Sequence, residues 1–141
     1  MPNLFNYHIF ISHAWKYGAE YDRLVNMLDN AHYFSYYNYS APRENPLKNP
    51  NGTDVTTKGQ IMAAIDRKIA LSNCVLVLSG MYVAYRDWMQ YELDTAVEME
   101  KPIIAVRPWG AQVMPSAVSA VATEEVGWNT DSIVAAIRKH S

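Results

Sequence analysis

Cys74-Val75-Leu76-Val77-Leu78 and Ile103-Ile104-Ala105-Val106 are two short unbroken apolar runs, and between them lies Asp87-Trp88-Met89-Gln90-Tyr91-Glu92-Leu93, a stretch with helical spacing. Runs of this length without polar alternation read as strands covered on both faces, and a helix joining two of them is the unit of a parallel sheet. The same segment sets Glu92 one helical turn after Trp88, near the start of a helix leaving the sheet rim, where open α/β folds bind ligands. An acid there is either a candidate catalyst or a carboxylate that merely favours the helix dipole. The helical wheel puts Glu92 about a quarter turn from the centre of a core face made by Met89, Leu93, Ala96 and Val97. A partly sheltered boundary position is therefore expected.

The flanking chain repeats the alternation. Tyr7 to Ser12 reads as a buried strand, and Tyr21, Leu24, Val25 and Leu28 mark an amphipathic helix within 18–30. The aromatic run 33–39 has high β propensity. The segment from Ser40 to about Val55 holds Pro42, Pro46, Pro50 and Asn51-Gly52, which exclude a regular element. Thr56 or Thr57 can cap a helix carrying Ile61, Ala64, Ile65 and Ile69. After the 102–107 strand come a Pro108-Trp109-Gly110 turn, a short helix after Pro115 and a strand near 125–128. A last helix follows, capped by Asn129 or Thr130, with Ile133, Ala136 and Ile137 inward. Five β-α repeats predict an α/β fold of flavodoxin-like type, three layers around a five-stranded parallel doubly wound sheet.

The 141 residues suit one domain with a core that needs no staples. Twelve Lys and Arg against fourteen Asp and Glu give a formal charge of −2, and the basic residues are scattered. A nucleic-acid surface is not expected. The single Cys74 lies in an apolar run and reads as core, which suits a reducing cytoplasm. No apolar stretch approaches the roughly 18 to 20 residues that span a bilayer, and no signal segment follows Met1.

Several chemistries lack their residues. His8, His13, His32 and His140 fall in different elements with no metal-ligand spacing, so no metal is expected. Neither a nucleophile elbow, a P-loop nor a Gly-rich dinucleotide turn is present. What remains is a rim of Phe10, Ser12, His13, the 40–55 loop, the 79–86 turn, Trp88 and Glu92. Aromatic faces, hydroxyls and one acid suit a planar base, a ribose and a carboxylate that senses developing positive charge.

The ordered set His8-Ile9-Phe10-Ile11-Ser12-His13, Tyr39-Ser40-Ala41-Pro42, Cys74 to Gly80, and Trp88-Met89-Gln90-Tyr91-Glu92-Leu93 before Lys101-Pro102 resembles the TIR domain family. Within it, the chain resembles the bacterial and archaeal TIR-like branch that includes the Thoeris antiphage signalling subunit, over nearly all of 1–141. The resemblance implies NAD+ as substrate rather than bound cofactor, with Glu92 catalytic and Trp88 beside it. It implies that Phe10, Ser12 and His13 line the nucleotide site from the first strand, that Ser40, Pro42 and Arg43 belong to a covering loop, and that Ser79 and Tyr82 come from the turn after the third strand. It further implies cleavage of nicotinamide from NAD+, an ADP-ribose-derived, cyclic signal read by a separate effector, and a homo-oligomer as the active form. The rival expectations are a non-catalytic TIR-like interaction module and a flavodoxin-like nucleotide or flavin binder.

Overall fold

In the computed structural model, which describes residues 6–12, 19–40, 57–82, 86–107 and 113–141, the apolar runs become strands. These are β1 (Asn6–Ser12), β2 (Ser35–Asn38), β3 (Cys74–Leu78), β4 (Ile103–Val106) and β5 (Glu124–Val126). The helices are α1 (Ala19–Asp29), α2 (Lys58–Leu71), α3 (Arg86–Glu98), the short α4 (Ser116–Ser119) and α5 (Thr130–His140). All strand pairs are parallel, in the order β2-β1-β3-β4-β5. This is the expected five-stranded doubly wound sheet, with the flavodoxin-like strand order.

Alternation along the strands divides the core in two. Ile9, Ile11, Leu76, Leu78, Ile104 and Val106 pack against α1 and α5 through Leu24, Leu28, Ile133 and Ile137. Phe10, Val75, Val77, Ile103 and Ala105 face the other way, onto Ile65, Ile69, Met89 and Leu93 of α2 and α3. Every residue of β3 is buried, as a central strand covered on both faces must be. Cys74 belongs to this core, and burial pushes its thiol up to about 11, which removes the thiolate at neutral pH.

Local chemistry sets the helix ends. Thr57 caps α2 in a capping box: its Oγ1 accepts from Gln60 N at 3.1 Å, and Gln60 Oε1 accepts from Thr57 N at 3.2 Å. Asn129 caps α5, its Oδ1 accepting from Ser132 N at 2.8 Å. The last turn of α3 closes by bonds from Lys101 N to Ala96 O and Glu100 N to Val97 O, with Glu100 left-handed at φ 58°. That is a Schellman closure with a glutamate where glycine is favoured. Glu100→Gly should stabilise the domain by about 1 kcal/mol, since the left-handed conformation is costly only to a residue with a Cβ. A thermal melt of the two proteins, with an upward shift in the variant, checks this.

Two features of α3 differ from expectation. Val97, assigned to the core face, is 49% exposed, and that face consists of Met89, Leu93 and Ala96 together with Glu92 itself. Glu92 is the seventh residue of the helix and is 1% exposed, neither in a first turn nor at a boundary. The helix is rotated toward Glu92 and away from Val97, because a hydroxyl on β1 receives the carboxylate.

Candidate active site

The strand order reverses between β1 and β3: β2 lies to one side, and β3, β4 and β5 to the other. The carboxyl ends of these two neighbours form the switch point where open α/β sheets bind ligands. Ser12 ends β1, sharing the face of Phe10, and its Oγ donates to Glu92 Oε1 at 2.7 Å. Ser12 is 0% exposed, so the pair lies in the low-dielectric interior. Removing a charge from water is expensive unless a donor replaces the lost solvation. The dipole explanation of Glu92 fails on position, since that field falls off within the first turn.

Ser12→Ala deletes a buried donor to this carboxylate. It should cost about 1.5–3 kcal/mol, the range for hydrogen bonds to charged groups. Urea unfolding would read this as a lower midpoint at unchanged slope.

Beyond β3 the chain enters a single 3-10 turn, Ser79–Met81. Ser79 is 1% exposed, and its Oγ has no hydrogen-bond partner among the described residues. Gly80 follows, and a Cβ there would lie 3.0 Å from either carboxyl oxygen of Glu20. Glu20 lies in the first turn of α1, and burial raises its pKa while the Arg23 guanidinium opposes the shift. Sequence reading does not single out Glu20. The available signal was its place in the first turn of the helix after β1, but only the fold brings α1 against the Ser79-Gly80 turn.

The remaining expected residues divide by position. Tyr82 is buried, and its hydroxyl donates to Gln90 Oε1, while Gln90 Nε2 donates to Asp94 Oδ1 at 2.8 Å. This chain fixes the turn after β3 to one flank of α3. Tyr91 ties the other flank to α2 by donating to Asp66 Oδ1 at 2.6 Å, and burial together with that bond pushes its phenol up to about 12. Trp88 is half-buried against the α2–α3 core. Phe10 is wholly buried in that core.

Ser40 Oγ accepts from Ile11 N at 3.3 Å and donates to Asn38 Oδ1, extending the β1–β2 ladder one step beyond the strand backbone. Phe10 and Ser40 thus support the site through the fold. His13, Pro42 and Arg43 lie outside the described residues, as does the Pro108-Trp109-Gly110 turn.

Among the described residues, two hollows lie near α1. One of about 110 Å³ is bounded by Ala19, Glu20, Arg23 and Trp128. The other, of about 440 Å³, lies between the end of α1 and α5 and includes His32 and Arg138. The larger one holds none of the switch-point side chains. Among the described residues, no group of three His, Cys, Asp or Glu is placed to hold a metal ion, and no helix is long and apolar enough to cross a membrane.

A flavodoxin-order sheet with an interior carboxylate and two buried hydroxyls at its switch point defines a doubly wound α/β domain with a candidate ligand site. The family described as "Thoeris protein ThsB, TIR-like domain" matches residues 10–113, from β1 to the residue before Met114. The chain belongs to this family, the TIR-like domains of the Thoeris system. A comparison with curated proteins finds no match.

Proposed function

We propose that this protein is an NAD+-cleaving enzyme of antiphage signalling, in which Glu92 is the catalytic carboxylate. The observation that carries this reading is the Ser12–Glu92 pair at the switch point. Cleavage breaks the bond between ribose C1′ and the nicotinamide nitrogen. The bonding electrons return to the pyridinium ring, which leaves as neutral nicotinamide, and C1′ acquires oxocarbenium character. A carboxylate in the interior stabilises that developing positive charge far better than one in water. Ser12 supplies a fixed donor that orients the carboxylate, and the unpartnered Ser79 hydroxyl is available to the substrate. Attack by water, with loss of a proton, gives ADP-ribose; attack by a nucleophile within the same molecule gives a cyclic isomer. We favour the cyclic product as the signal, read by a separate effector in the cytoplasm.

With Glu92 only 1% exposed, substrate entry requires the rim to open. Assembly into a homo-oligomer is the proposed trigger, and residues 1–141 act as one domain in it. NAD+ is consumed as substrate and is not a resident cofactor.

That same burial supports a second reading, a non-catalytic TIR-like module in which Glu92 and Ser12 only lock α3 to β1. Incubating concentrated wild-type and Glu92→Gln protein with NAD+ and resolving products by mass spectrometry separates the two. Nicotinamide released by wild type alone supports the enzyme; homotypic association with no NAD+ loss supports the module.

A further inference from the structure

Two polar groups at the switch point have no partner among the described residues, and a single glycine stands between them. The Ser79 hydroxyl is buried and unpartnered among the described residues, and so is Oε2 of Glu20. Gly80 stands between them: a Cβ there would lie 3.0 Å from the Glu20 carboxyl oxygens, so the missing side chain leaves room for the acid over this turn. Native folds rarely leave buried polar atoms unsatisfied, and such groups call for an explanation. Both here lie at the rim where a ligand enters.

We infer that Glu20 is a specificity-determining residue which, with Ser79, binds the vicinal hydroxyls of a ribose, namely the ribose of NAD+ that does not react. The inference rests on NAD+ being the substrate. A vicinal diol carries two hydroxyls on adjacent carbons, so one can donate to the Glu20 carboxyl while its neighbour exchanges a hydrogen bond with Ser79. An exocyclic amine would satisfy the acid and leave the serine open, and an anionic phosphate would be repelled. Glu20 also bounds, with Ala19, Arg23 and Trp128, a hollow of about 110 Å³. A carboxyl that reads a ribose diol also discriminates: a phosphate on one of those hydroxyls sets negative charge against it, so NADP+ is rejected.

The test measures binding of NAD+ and NADP+ by calorimetry in the Glu92→Gln protein, which does not turn the ligand over. Adding Glu20→Ala should weaken NAD+ by about 10-fold, the value of one hydrogen bond to a charged group, and narrow the preference over NADP+. Glu20→Gln keeps an accepting carbonyl without the charge, so it should retain NAD+ to within about 3-fold and admit NADP+. Gly80→Ala should shift NAD+ binding in the same direction as Glu20→Ala and by less, because its new methyl, 3.0 Å from the carboxyl oxygens, pushes the carboxyl aside by a few tenths of an ångström. Thermal melts establish that each variant is folded; if Glu20→Ala is not, the Gln and Gly80 variants decide. NAD+ binding and NAD+/NADP+ preference unchanged by all three variants would overturn the role of Glu20 and leave the NAD+ reading intact. If the parent protein binds no NAD+ and wild type releases no nicotinamide, the substrate reading falls and this inference with it.

Discussion

Replacing Glu92 with glutamine should abolish nicotinamide release from NAD+ while the domain stays folded. The two side chains are nearly isosteric, and the glutamine carbonyl can accept the Ser12 hydroxyl in place of Oε1, which lies 2.7 Å from it. No cavity forms and the Ser12 hydroxyl keeps an acceptor, so the melting temperature should change little. What disappears is the negative charge next to the developing oxocarbenium centre. Loss of one preorganised group that meets charge only in the transition state costs about 10²–10³-fold in kcat, and a full charge lies at or beyond the upper end. Nicotinamide release, followed by mass spectrometry, should fall below detection in the variant. Equal NAD+ consumption by both proteins would sink the assignment of Glu92. Glu92→Ala is a poorer probe, because it also leaves the Ser12 hydroxyl unpaired and a void in the α2–α3 side of the core.

Leu76→Ala should give the largest loss of stability among the substitutions considered. Leu76 is the midpoint of the central strand, 0% exposed, in the cluster closed by α1 and α5. Truncation removes buried methyl groups from a place where strands on both sides prevent collapse, and Leu→Ala at such sites costs about 2–5 kcal/mol. That is a large share of the roughly 5–15 kcal/mol that holds a domain together. The melting temperature should fall by about 10 °C, taking a few degrees per kcal/mol at this chain length. Val97→Ala is the informative contrast: with 49% of Val97 exposed, its effect should stay within about 0.5 kcal/mol. Comparable losses at the two positions would mean that α3 is rotated differently from the arrangement described.

The strand and helix assignments were legible because they depend on local periodicity. Runs such as 74–78 and 103–106 admit few alternatives, and Thr57 and Asn129 cap the helices where their side-chain chemistry suggests. The rim was legible for a related reason: the residues following a parallel strand face the carboxyl edge whatever the packing, so Ser12 and Ser79 could be placed there from order alone. The rotation of α3 was not legible. Its wheel offers two apolar flanks of similar width, one through Val97 and one through Glu92, and periodicity ranks an acid below a valine as a core residue. A tertiary contact, the Ser12 hydroxyl eighty residues away in the chain, reverses that ranking.

Sequence by itself thus determined the elements, their parallel order of alternation, the buried Cys74 and a rim bearing hydroxyls, aromatics and Glu92. Through the family motif it also pointed to Glu92 as the candidate catalytic acid. The tertiary structure alone decided that Glu92 is interior and bonded to Ser12, that Ser40 completes the sheet ladder, and that Glu20 meets Gly80 across the turn after β3. The division has one physical cause. Propensity and periodicity act between near neighbours in the chain, whereas the solvation of a carboxylate depends on which donors and which low-dielectric surfaces the folded chain brings to it.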